Sequence, residues 1–272
     1  MQCDTEENRV LSIPLADGHL VEAVSYGSGS LCLSVQVGCA MGCPFCASGQ
    51  KGLFRNLAAG ELVQQLTAAR AAGLSPARLT LSGIGEPLAN PAVPQFLLDQ
   101  QRRGLPVSLT STGHPLARLA EFCRLPHNGL MLSLHAGRQP TRELLVPRAP
   151  QLAELHRVLT ALWPTLSGNR RRKIGFNYLL LAGHNDSEEE LAALRDFLGP
   201  FPEATLHLLE LNPVAGSPFR SPQPERIAEI HRFFQQLGAN VRRANRWRRL
   251  RRGGCGTLVV DSWQKSPTGG TE

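Results

Sequence analysis

Short β-prone runs alternate with amphipathic helical stretches along most of this chain, and a chain patterned that way has few folds open to it. Strand-like runs fall at residues 31–37, 78–81, 107–110, 130–134, 174–181 and 206–211. Helical stretches follow them at 58–72, 91–101, 115–123, 151–163, 187–198 and 224–237. In the first helical stretch Leu62, Val63, Leu66 and Ala69 recur at helical spacing. The second starts just after Asn90, a good capping residue. Strand followed by helix, six times over, predicts an α/β fold with a parallel sheet and outer helices. Six units are too few to close an eight-stranded barrel, so an open or partial (βα)6 barrel is expected.

In such folds, ligands gather beyond the carboxyl ends of the strands. The chemically suggestive residues fall there: three cysteines after Val37, residues 83–87 after Leu81, 111–113 after Thr110, His135 after Leu134, and Asn212 after Leu211. Hydrophobic residues make up 42% and charged residues 19%, which fits a globular chain rather than a disordered one. No run of eighteen apolar residues exists, so no membrane span is expected. The acidic, polar start (Asp4, Glu6, Glu7) lacks the pattern of a signal peptide, which predicts a cytoplasmic protein with reduced thiols. The expected organisation is a short extension or strand over 1–30, a core domain over 31–262, and a flexible tail over 263–272.

Seven cysteines, an odd number with three closely grouped, argue for metal binding or thiol chemistry over a disulfide framework. The group reads Cys39-Ala40-Met41-Gly42-Cys43-Pro44-Phe45-Cys46, a C-x3-C-x2-C spacing. Structural zinc usually takes four protein ligands, and no fourth Cys or His sits at finger spacing. Iron–sulfur clusters are held by cysteine thiolates. Three cysteines on a four-iron cluster leave one iron open to a ligand. S-adenosylmethionine chelates such an iron through its amino and carboxylate groups, and an electron from the cluster then cleaves its sulfonium. The competing reading is a set of buried or zinc-binding thiols.

At this point the chain resembles the RlmN/Cfr RNA methyltransferases of the radical S-adenosylmethionine (SAM) superfamily, from about residue 20 to 260. Leu31-Cys32-Leu33-Ser34-Val35-Gln36-Val37-Gly38-Cys39 is similar to the family's L-C-V-S-S-Q-V-G-C. Phe54-Arg55-Asn56-Leu57 with Gly60-Glu61, Gly83-Ile84-Gly85-Glu86-Pro87, Leu132-Ser133-Leu134-His135-Ala136, and Asn212-Pro213 follow in family order. The resemblance implies a [4Fe-4S] cluster on Cys39, Cys43 and Cys46. It implies a SAM pocket built from Gly85, Glu86, Thr110, Ser133, Leu134, His135 and Asn212. It also implies a methyl-carrying Cys255 in Gly254-Cys255-Gly256-Thr257-Leu258, where Thr257 replaces the family's glutamine. Cys32 would resolve the carrier through a transient disulfide, and Glu22 would accept the ring proton.

This route methylates an adenine ring carbon of rRNA or tRNA, carbon 2 in the RlmN type and carbon 8 in the Cfr type. It implies a low-potential electron donor such as flavodoxin or ferredoxin. Cys39 comes earlier than in members with an N-terminal helical RNA-binding domain, so that domain is expected to be missing. Net charge is +7, and seven arginines fall between Arg242 and Arg252. Such a cluster is a candidate nucleic-acid face. Arg246-Trp247-Arg248-Arg249-Leu250-Arg251-Arg252 stands where the family has an acidic stretch, and the arginines are expected to meet phosphates while Trp247 stacks on a base. A small-molecule or protein acceptor, and a non-catalytic RNA-binding or iron–sulfur sensor module, are the competing readings.

Overall fold

The structure is a computed structural model; it describes residues 8–212, 214, 216–243, 246–249 and 256–258. Cys255 and the expected tail at 263–272 lie outside these residues. The chain opens with an antiparallel hairpin, β1 (Arg9–Pro14) and β2 (Leu20–Tyr26), that continues antiparallel into β3 (Ser30–Leu33). A separate two-stranded sheet, β4 (Gln36–Gly38) with β5 (Leu53–Asn56), brackets the cysteine loop. Then come α1 (Ala59–Ala71), β6 (Arg78–Leu81), α2 (Val93–Arg102), β7 (Val107–Ser111), α3 (Leu119–Arg124) and β8 (Gly129–Ser133). Three helices follow, α4 (Gln139–Leu145), α5 (Leu152–Leu162) and α6 (Gly168–Arg171). The chain goes on through β9 (Ile174–Leu180), α7 (Glu188–Leu198), β10 (Thr205–Glu210), α8 (Pro224–Gln236) and β11 (Asn240–Arg243).

The main sheet has nine strands in the order β1-β2-β3-β6-β7-β8-β9-β10-β11. From β3 onward every neighbouring pair is parallel. This is the expected α/β partial barrel, with one parallel strand added at its end and an antiparallel hairpin at its start. Successive residues of a strand face opposite sides, and the two sides differ in kind. Leu79, Leu81, Leu109, Leu130, Leu132 and Phe176 enter the main core under the helices. Their neighbours Thr80, Ser108, Thr110, Met131 and Asn177 line a cavity on the inner side.

The expected strand at 31–37 is interrupted. The Ser34 amide is taken by the Gln65 side chain, and the Val35 and Gln36 amides donate to the Ile84 carbonyl. The break lets β4 leave the sheet and carry the cysteines over its edge. Residues 115–123 also divide, into a tight turn at Leu116–Arg118 and α3. The unanticipated α4, α6 and β11 are short, and the polar Asn240-Val241-Arg242-Arg243 offers no apolar alternation.

Buried Asn90 locks the broken strand to the helices. Its amide donates to the Val35 carbonyl at 2.6 Å and the Leu57 carbonyl at 2.9 Å, while its oxygen accepts from the Ala92 amide at 2.8 Å. Asn90→Ala would remove the side-chain partner of the Leu57 carbonyl and the Ala92 amide, and leave the Val35 carbonyl with only the Leu57 amide. It is expected to lower unfolding stability by about 3 kcal/mol, read as a lower urea midpoint with an unchanged slope.

Candidate active site

Cys39, Cys43 and Cys46 line one cavity of about 450 Å³ at the carboxyl edge of the sheet. Burial pushes the Cys39 thiol up to about 12, and the charges of Cys46 and Glu86 add to it. The Cys43 thiol is raised well above its ordinary value by burial, then by Cys46 and Cys39. The backbone N–H groups of Met41 and Gly85 face the Cys39 sulfur and partly oppose the shift. Buried and close to one another, Cys39 and Cys43 are held as neutral thiols, and a cationic occupant would favour their thiolates. Three thiols lining one cavity suit a multi-atom iron–sulfur cluster.

Glu86 stands beside them, 2% exposed. One carboxylate oxygen accepts from the Leu88 amide at 3.1 Å; the other accepts from the Thr112 amide at 2.7 Å and the Thr112 hydroxyl at 2.8 Å. Burial nevertheless raises its pKa, with the Ser111 and Thr112 donors opposing. A buried carboxylate in that state gains from a cationic ligand. Gly85 lets the backbone reach the cavity: its φ is +108°, and a Cβ there would lie 2.6 Å from Gln36.

Sequence reasoning missed Arg142. It is 1% exposed and donates to the Ser133, Leu134 and Thr112 carbonyls. Burial lowers its pKa to about 10, against the attraction of Cys43 and Glu86. No sequence signal separates this arginine from its exposed neighbour Arg138. His135, with φ 57°, accepts the Leu179 amide on Nδ1 at 3.0 Å. Its pKa is lowered to about 3 by burial and by Arg142, so the ring is neutral and its proton sits on Nε2. Its ring meets Phe45 edge-on at 5.5 Å.

Of the expected cofactor residues, Gly85, Glu86, Thr110, Ser133 and His135 line the cavity. Leu134 turns its side chain into the main core, and its amide and carbonyl are held by Asn177 and Arg142. Asn212 donates to the Arg248 carbonyl at 2.8 Å. Cys32 is 1% exposed, with its sulfur 3.4 Å from the hydroxyl of cavity-lining Ser82. Half-buried Glu22 lies on β2 at the same alternation as Val24, which pairs with Cys32. Trp247 differs from expectation: its indole is packed against Gly27 and a cluster containing Val24 and Tyr26. The Arg248 guanidinium lies 5.4 Å above the Tyr26 ring, and Arg249 pairs with Glu210.

Residues 33–198 match the Radical SAM superfamily. A probable RNA methyltransferase of Chromobacterium violaceum is 34% identical over 257 residues, covering 91% of this chain and 71% of the relative. A probable dual-specificity RNA methyltransferase RlmN of Rhodopirellula baltica is 37% identical, covering 84% of this chain and 64% of the relative. The chain belongs to the RlmN-type radical SAM family. A crystal structure of a radical SAM methyltransferase from Sphaerobacter thermophilus superposes with a TM-score of 0.77 at 30% identity, covering 96% of this chain and 80% of that one. The family implies a [4Fe-4S] cluster and SAM, and the donor set fits both: three thiols on one cavity, and a buried carboxylate beside them.

If Glu86 receives the SAM ammonium, Glu86→Gln should weaken SAM binding by about tenfold or more. The affinity of the unaltered protein should fall as pH drops through the raised Glu86 pKa, because protonation removes the charge. Titration calorimetry on the reconstituted protein checks both, and the pH dependence should flatten in the variant.

Proposed function

We propose that this chain methylates an adenine ring carbon of rRNA or tRNA, carbon 2 rather than carbon 8, by carrying the methyl group on Cys255. The relatives' names support RNA as the acceptor, and the RlmN resemblance supports carbon 2. The observation that carries the thiol relay is the seat of Gly256, the residue next in sequence to Cys255. Gly256 lines the same cavity as the three cysteines, and its carbonyl accepts from the Ala47 amide, next to Cys46, at 2.9 Å.

In this reading Cys39, Cys43 and Cys46 hold a [4Fe-4S] cluster, which with SAM bound supplies the electron that breaks a carbon–sulfur bond of that cofactor. Glu86 holds the methionine ammonium. Neutral His135 offers its Nε2 proton to the nucleoside end, beside Ser133 and Thr110. Cys32 forms the disulfide that frees the carrier, and Glu22 takes the ring proton. A carrier is needed because an electron-poor ring carbon is too weak a nucleophile to take a methyl group directly from a sulfonium. The electron reaches the cluster from a low-potential donor such as flavodoxin or ferredoxin.

The protein, purified anaerobically, reconstituted and incubated with methyl-labelled SAM without RNA, should gain one methyl group on the Cys255 peptide. Tryptic mass spectrometry reads it, and Cys255→Ala should abolish it. An unmodified Cys255 in protein that still cleaves SAM would overturn the reading.

A further inference from the structure

The order of strands leaves β11 at one edge of the sheet and the β1–β2 hairpin at the other. The turn at Arg246–Arg249 bridges these two ends. On the β10 side, Glu210 pairs with Arg249 at 3.4 Å, and Asn212 donates to the Arg248 carbonyl at 2.8 Å. On the hairpin side, Asn8 donates to the Trp247 carbonyl at 2.7 Å, and the Arg248 guanidinium stacks over Tyr26.

The wedge between them is the Trp247 indole. It occupies the space a side chain on Gly27 would need: a Cβ there would fall 2.4 Å from the ring. Gly27 is not among the glycines with positive φ. Its missing side chain is thus a matter of room for the indole, not of backbone conformation. The indole packs against a small cluster separate from the main core, made of Val24, Tyr26, Cys32, Ile84 and Leu258. Leu258 belongs to the same C-terminal segment, and its carbonyl accepts from the Ser48 hydroxyl at 2.9 Å. Two anchors of that segment, Trp247 and Leu258, therefore rest on the one cluster that buries Cys32.

We propose that Trp247, seated in the notch left by Gly27, is a positioning residue that holds the turn at 246–249 against the cluster that buries Cys32, so that this thiol is closed to solvent. A large aromatic ring is suited to such a latch, because it buries much surface while fixing only two side-chain torsions. The importance of the latch for a resolving Cys32 rests on the thiol relay proposed above: a cysteine that must meet one partner thiol is protected from others. The latch itself does not need that reading, and it can be tested on the reconstituted protein without RNA.

The test is peptide-resolved alkylation with iodoacetamide, comparing Cys32 with Cys123. Cys123 is buried in the main core and reports global unfolding. Trp247→Ala should speed Cys32 labelling by about tenfold or more through local opening, with Cys123 unchanged. Gly27→Ala, which drives a methyl into the indole, should do the same and should expose the bonds after Arg248 and Arg249 to trypsin. Trp247→Phe should keep most of the protection. Unchanged Cys32 labelling in both disruptive variants would overturn the latch, and so would a rise that occurs only together with Cys123. If labelling behaves as expected but Cys255 is never methylated, the latch stands and the relay falls.

Discussion

A buried guanidinium ties the carboxyl ends of two neighbouring strands together, and the site is arranged around it. Arg142 takes the carbonyls of Ser133 at the end of β8, of Leu134 after it, and of Thr112 after β7. Strand ends in a parallel sheet leave backbone carbonyls pointing at a shared edge, and in a dry interior these need donors. A fixed cation meets several at once. It also places a positive charge where Cys43 and Glu86 raise the local negative potential. Thr112 links the two sides, giving its carbonyl to Arg142 and its amide and hydroxyl to Glu86. Guanidinium and carboxylate thus share one buried network, in which removing either leaves the other poorly compensated.

That network explains why the cavity can be both buried and polar. Its outer wall is apolar through the alternation of the parallel strands, while its inner wall carries hydroxyls, an amide and a neutral imidazole. The groups with shifted pKa values are poised for charged ligands rather than for each other: thiols too protonated to stay free anions, a carboxylate lacking a full counterion, and a histidine that donates without titrating near neutrality. These are the features expected where an anionic thiolate cluster and a zwitterionic cofactor are received together.

The open side of the sheet is managed by a different kind of contact. A barrel of this size does not close through strand pairing, so the space between β11 and the hairpin is bridged by the turn that holds Trp247. Shape complementarity between an indole and a glycine sets where this turn lands. Its arginines are partly engaged, Arg249 with Glu210 and Arg248 with Tyr26, so the basic cluster is structural as well as a surface charge.

The sequence alone determined the parts of this protein that rest on local pattern. Alternating strand and helix signals announced the parallel sheet, because each element's periodicity is set by its own neighbours in the chain. The C-x3-C-x2-C loop announced its chemistry, because thiolates that converge on one object must be close in sequence or in space, and here they are both. Asn90 ahead of the second helical stretch was legible for the same local reason. Only the tertiary structure decided what depends on partners far apart in the chain. The break after β3 needs Gln65 and Ile84; the burial of Arg142 needs the ends of two strands; the seat of Trp247 needs a glycine more than two hundred residues earlier. None of these leaves a periodicity or a spacing, since an arginine or tryptophan reads the same in a sequence whether water or the interior surrounds it.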